Sequence, residues 1–261
     1  MAFELIGDRV KFFRSTIISC PHGFSTRIGG VSRLPHTAEL NLAFGRGDDD
    51  ATVIKNLELF SDAVGVDPHS VVSRHQVHSS KVEYVDQSNA GEGYYIPTEL
   101  ECDGYFTDSP GVTLGIKTAD CVPILFHDPI KNVIGAVHAG WRGTAAGIAG
   151  ICVERMRSLG SEPKDIRAAI GAAINFCCYE VGEDFYDSVS ALDRARAERF
   201  IREKDGRLHA DIVGMNADIL KAAGVEIIDI SPHCTCHEPE LFYSHRASKG
   251  VRGTMLSIIA L

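Results

Sequence analysis

Between Val112 and Ala139 the chain carries three short apolar, β-rich runs, VTLGIKT, VPILFHD and VIGAVHA, separated only by turn residues. Runs of this length and composition, broken by Asp, Asn, Pro and Lys, read as neighbouring strands with little solvent-facing surface. A sheet made of them has to be covered by other elements. Val53, Leu57, Phe60 and Val64 recur at helical spacing after an acidic start near Asp50, which predicts an amphipathic helix there. TAAGIAGICVERMRSLG reads as one helix rich in small residues and stopped at Gly160, and DIVGMNADILKAAG as another. KVEYVD, IRAAIGA, VEIIDI and the terminal TMLSIIAL read as further strands. Strands and helices mix without strict βαβ alternation. The expectation is an α/β (α+β) fold, a single domain over residues 1–261 with a mixed, largely buried β-sheet flanked by helices.

Composition narrows the function classes. A formal charge of -9 argues against a general nucleic-acid or membrane-surface binder, while leaving room for a local positive pocket. MAFELIGDRVKFF carries acids and lacks the apolar region of a signal peptide, and no apolar run approaches a membrane span, so a cytoplasmic protein is expected. The eight cysteines fit free thiols better than a disulfide framework, because the chain is long and Cys177 and Cys178 are adjacent.

Potential metal ligands concentrate in RHQVHSS, TADCVPI and AVHAGWRG, which offer His75 or His78, Cys121, and His138 at the ends of expected strands. Two imidazoles and a thiolate suit zinc and leave a fourth position open. Neither a CxxC pair nor HExxH is present. Cys234 and Cys236, flanked by His233 and His237, are locally metal-like, yet a CxC spacing rarely places both thiolates on one zinc. In HAGWRGT a glycine turn precedes an expected helix start near Thr144, so Arg142 and the helix N-terminus are candidates for binding phosphate. Arg246 in FYSHRASKG is a weaker anion candidate.

Taken together, RHQVHSSKV, CDGYFTD, TADCVPILFHDP, VHAGWRGT, CCYEVG and CTCHEPELFYSHR, with TRIGGVS and NLAFGRGD upstream, resemble the YfiH-like family, also called the laccase-domain or polyphenol-oxidase family. The resemblance runs from about residue 20 to the C-terminus. It implies Zn2+ on His78, Cys121 and His138, with copper a lesser alternative, and it leaves His75 unassigned. It also implies a purine nucleoside phosphorylase that uses phosphate as co-substrate on adenosine, inosine and guanosine, with methylthioadenosine phosphorolysis and adenosine deaminase activity. For such substrates Asn41 and Asp120 are candidates for sugar or base contacts, against the plainer readings of a turn residue and a satisfied structural carboxylate. Ala247 stands where the family usually carries a second Arg, and His245 where Tyr is usual. The alternatives are a cysteine hydrolase or deamidase using Cys121 and His138, and a laccase-like polyphenol oxidase. Laccase chemistry needs four coppers on about ten His plus a Cys, with repeated His-x-His pairs. This chain has eleven His and no such pair.

Overall fold

The structure, a computed structural model, describes residues 3–261; Met1 and Ala2, the first two positions of the expected 1–261 domain, lie outside the described residues. The first elements are β1 (Phe3–Ile6), β2 (Phe12–Ser15), β3 (His22–Ser25), α1 (Asp50–Val64), β4 (Val71–Val72), β5 (Val82–Tyr84) and β6 (Gly104–Thr107). The central ones are β7 (Thr113–Thr118), β8 (Val122–Asp128), β9 (Val133–Ala139), α2 (Trp141–Ala145), α3 (Ile148–Arg157) and β10 (Arg167–Ile170). There follow α4 (Glu183–Leu192), α5 (Arg194–Phe200), β11 (Ile201–Lys204), β12 (Arg207–Ala210), α6 (Ile212–Ala222), β13 (Ile227–Ile230) and β14 (Met255–Ala260).

The three apolar runs become β7, β8 and β9, but they do not share one sheet. β8 pairs antiparallel with β9 from Val122↔Ala139 to Asp128↔Val133, whereas β7 pairs with the C-terminal β14. Two six-stranded sheets result, ordered β1-β2-β3-β14-β7-β4 and β13-β10-β8-β9-β6-β5, with β11-β12 as a separate hairpin. Both are mixed: β4 on β7, β5 on β6, and β10 on β13 run parallel. The mixed α/β character expected from the sequence holds, with two stacked sheets in place of one.

Strand alternation explains the stacking. Along β8, Val122, Ile124 and Phe126 face one core while Leu125 faces another. The core on the Leu125 side joins Leu114, Ile116 and Ile259 of the first sheet to Tyr105, Ile134 and Ala136 of the second. The opposite face of the second sheet is covered by Cys152, Val153 and Met156 of α3 and by Ile219 and Leu220 of α6. The outer face of the first sheet, with Leu256 and Ile258, is covered by α1 through Val53, Leu57 and Phe60. The layers therefore run helix, sheet, sheet, helices.

α1 begins where Asp49 accepts a hydrogen bond from the Thr52 amide and ends at Gly65 in the left-handed region, φ 85°. α6 is likewise opened by Asp211, which accepts from the Gly214 amide. The single helix expected from Thr144 to Gly160 is instead two. Gly147 takes φ 79° between α2 and α3, and the turn it makes swings the chain from the end of β9 back onto the sheet. Among the described residues, no helix is long and apolar enough to cross a membrane.

Candidate functional site

β6 and β9 pair antiparallel with Gly104 opposite Val137, so the next residues along, Asp103 and His138, leave the same face side by side. The His138 ring donates from Nδ1 to Asp103 Oδ1 at 2.7 Å, which turns Nε2 outward as the free ring nitrogen. β8 sets Pro123 opposite His138, and Cys121, two residues away, lies on that same face. This is the face that lines the core between the sheets, so the group stands at one end of that core.

His78 arrives from the loop before β5. The backbone N–H groups of Val77, His78 and Ser79, and the Ser79 hydroxyl, all donate to the Asp103 carboxylate at 2.7–3.2 Å. The loop closes so tightly around it that His78 takes φ 62°, a conformation that costs a non-glycine residue about 1–3 kcal/mol. A Cβ on Gly140 would run into the His78 ring, so the glycine that follows β9 makes room for this imidazole. Asp103 is fully buried. Burial would raise its carboxyl, but the bonds from His138 and Ser79 outweigh that and hold it below the usual range.

His78 Nε2 lies 3.7 Å from Cys121 Sγ, and the two imidazoles meet edge to face with centroids 4.8 Å apart. The three ligand atoms lie within 4.8 Å of one another. Tetrahedral zinc, with metal–sulfur and metal–nitrogen bonds of about 2.3 and 2.1 Å, spaces sulfur and nitrogen about 3.6 Å apart. The residues thus fit the metal in number, softness and spacing. Burial works against a charged thiol at Cys121, but His138 and His78 beside it prevail and bring it down to about 6. Burial likewise disfavours protonated His138, while Cys121 and Asp103 push it up to about 9. The two shifts together describe a thiolate–imidazolium pair, from which a metal would take the thiolate and displace the His138 proton.

A cleft of about 610 Å³ opens beside this group, with Phe44, Tyr94 and Tyr95 on its walls. Arg46, Lys117 and Arg252 also line it. Among the described residues, none of these three makes an ion pair, whereas neighbouring Arg74 is bound to Glu92 at 2.6 Å. Burial, then the charge of Arg46, lowers Lys117 to about 8, and the same two causes in the same order lower Arg252. Arg252 Nε is buried without a hydrogen-bond partner. These three cations stand in a cleft that Asp50 and Glu99 also line, in a chain of net charge -9.

The other sequence candidates fall elsewhere. Asn41 is fully buried: its amide donates to the Ala43 carbonyl and to Asp48, and its oxygen accepts from the Ala43 and Thr254 amides. That is the full capacity of the side chain, so Asn41 shapes the cleft wall and has nothing left for a substrate. Asp120, at φ 91°, accepts from the Thr235 hydroxyl on one oxygen and from the Arg246 amide on the other, both at 2.6 Å. It braces the turn before Cys121. Arg142 lies inside α2, not before it, with its guanidinium 4.3 Å over the Trp141 ring. α2 has only five residues, and Arg142 is exposed on it. Arg246 sits 5.3 Å over the Tyr179 ring. His75 lines the cleft but stands apart from the ligand group.

The reading from sequence missed Asp103, although it lies in the CDGYFTD motif, because its partnership with His138 is visible only in strand register. It missed Arg46, Lys117 and Arg252 because they come from three separate segments.

A family model described as multi-copper polyphenol oxidoreductase laccase matches residues 21–261. The chain is 37% identical to the purine nucleoside phosphorylase YlmD of Bacillus subtilis, covering 92% of this chain and 87% of that one. It is 39% identical to a purine nucleoside phosphorylase of Deinococcus radiodurans, covering 97% and 93%. Among solved structures, a Bacillus licheniformis protein titled YfiH superposes with a TM-score of 0.91 at 34% identity, over 99% of this chain and 98% of that one.

Proposed function

This chain belongs to the multi-copper polyphenol oxidoreductase laccase family, the YfiH-like family, and from that premise we propose that it is a zinc-dependent purine nucleoside phosphorylase. Its substrates in this reading are adenosine, inosine and guanosine with phosphate, in the cytoplasm, with phosphorolysis of methylthioadenosine and deamination of adenosine as further activities. One observation carries it: a two-imidazole, one-thiolate ligand group and three unpaired cations share a cleft of nucleoside size. The relatives named purine nucleoside phosphorylase support the same reading.

Phosphorolysis breaks the bond between C1′ and the base nitrogen, forms one from C1′ to a phosphate oxygen, and hands a proton to the departing base. Arg46, Lys117 and Arg252 hold and orient the phosphate, taking the role first expected of Arg142. Phe44, Tyr94 and Tyr95 offer the purine apolar walls. His78, Cys121 and His138 would hold the zinc, which when bound would supply Lewis-acid charge. Asp103 keeps the His138 ring in the tautomer that can ligate.

The oxidase in the family's description has no matching ligand set. Among the described residues, the groups able to hold a metal contain His78, His138 and His237 as their only imidazoles, far short of a four-copper centre. A second reading has a specific observation behind it: Cys121, His138 and Asp103 form a thiol–imidazole–carboxylate series suited to a cysteine hydrolase.

The test is zinc-replete protein with adenosine, with and without phosphate. Phosphate should be required for adenine and ribose-1-phosphate, whereas inosine should form without it, and chelation should stop both. Lys117→Met and Arg252→Met should each raise the phosphate KM about ten- to a hundredfold, the worth of one charge-assisted bond of roughly 1.5–3 kcal/mol, and move the nucleoside KM little. Absence of base release from every purine nucleoside would overturn the reading. Activity that survives chelation and dies on alkylation would establish the thiol hydrolase.

A further inference from the structure

β10 and β13 run parallel, so the segments leaving their C-terminal ends emerge side by side. An isolated bridge between Ala173 and Cys234 keeps them together. One segment then turns at Asn175, whose carbonyl accepts from the Cys178 and Tyr179 amides, and the other at Cys234, whose carbonyl accepts from those of His237 and Glu238. The two turns bring Cys177, Cys178, Cys234 and His237 together, with all four ligand atoms within 4.8 Å of one another. We propose that these four side chains bind a second, structural zinc ion.

The spacing is what tetrahedral zinc demands. Bonds of about 2.3 Å to sulfur and 2.1 Å to nitrogen put two sulfurs about 3.8 Å apart and a sulfur and a nitrogen about 3.6 Å apart. Cys177 Sγ lies 3.8 Å from Cys178 Sγ, 3.7 Å from Cys234 Sγ and 3.5 Å from His237 Nδ1. The objection to a CxC chelate does not apply, because Cys236 stands outside the group and the other thiolates come from Cys177 and Cys178. Adjacent cysteines make a poor disulfide, yet here their sulfurs are separated as two ligands are.

The surroundings suit the charge. Three thiolates and one imidazole on a divalent ion carry a net negative charge. The Lys204 ammonium donates to the Cys177 carbonyl at 2.8 Å, and the Arg246 guanidinium reaches the Cys178 carbonyl at 3.4 Å. The Asn175 amide points at Cys234 Sγ from 3.5 Å, a backbone N–H···S contact of the kind that orients a ligating thiolate. Cys234 is buried and Cys177 and Cys178 are half-buried, so the ion would be shielded on three sides with His237 as its outer ligand. Four protein ligands leave no open position, which makes the site structural. It would tie the Cys177–Cys178 segment to the turn whose Thr235 holds Asp120, next to Cys121.

The experiment is metal analysis of the full chain purified under reducing conditions and supplied with zinc, followed by cobalt substitution. Wild type should hold about two zinc ions per chain, and a variant carrying His78→Ala, Cys121→Ala and His138→Ala should keep about one. Cobalt in that variant should still give intense sulfur-to-metal charge-transfer bands and tetrahedral visible bands. Cys234→Ser should remove one ion. Should that variant fail to fold, His237→Ala, an exposed ligand, should keep the fold and shift the visible bands. Cys236→Ser should change neither metal content nor spectrum. One zinc in wild type and none in the triple variant would overturn the proposal, as would loss of the second ion in Cys236→Ser or a Cys177–Cys234 disulfide under these reducing conditions.

Discussion

Asp103 gathers five donors: the amides of Val77, His78 and Ser79, the Ser79 hydroxyl and the His138 ring. An amide in its place must turn an NH2 toward one of them and leaves the His138 ring without a charged anchor. Asp103→Asn is therefore expected to weaken zinc binding about ten- to a hundredfold, read by competition with a chromophoric chelator. Unchanged affinity would mean that the carboxylate only shapes the loop. Cys121 supplies a pH signature. In metal-free protein its alkylation, followed on the Cys121 peptide, should rise as pH passes upward through about 6, because His138 and His78 favour the thiolate against burial. Cys20, which burial pushes up to about 12, should stay unreactive across that range. A Cys121 midpoint near the ordinary thiol value of about 8.5 would show that the imidazoles do not act on it. At this scale the sequence pointed to the residues that gather as the His78, Cys121 and His138 group, since each sits in a short distinctive motif. It misled at Asn41, whose side chain is wholly engaged in its loop, while Arg142 stacks on the neighbouring Trp141 ring.

Elements were legible in proportion to their apolar content. β8 and β9 begin and end where VPILFHD and VIGAVHA do, and α1 spans Asp50 to Val64 as its spacing requires. The four-residue strands FELI, FFRS and HGFS escaped notice because so short a run shows no period, and their pairing depends on partners far along the chain. α1 makes a clean test of what the helices contribute. Phe60 is wholly buried against the first sheet and meets Phe12 edge to face, with centroids 5.9 Å apart. Phe60→Ala should destabilise the protein by about 3–5 kcal/mol in denaturant unfolding. Bound zinc in the folded variant should be unchanged, since α1 covers the face of that sheet turned away from the inter-sheet core. Loss of metal from the folded variant would show that the layers are coupled more tightly than their packing suggests.

For the molecule as a whole, composition described an acidic chain and concealed the gathering of Arg46, Lys117 and Arg252 in one cleft, because net charge averages over a surface that only the fold can divide. The mixed strand and helix order indicated a buried sheet, but nothing local to the sequence tells β7 to leave β8 and β9 for β14; that choice rests on long-range pairing. The same pairing has a consequence for how the molecule is assembled. His138 faces Asp103 and Cys121 only because β9 lies in one register between β6 and β8, with Gly104 opposite Val137 and Pro123 opposite His138. A slip of one residue would turn His138 to the other side of the sheet and put an aliphatic neighbour, Val137 or Ala139, where the imidazole belongs. The group able to hold a metal is thus completed only by strands that have zipped correctly, and a misaligned chain would lack it.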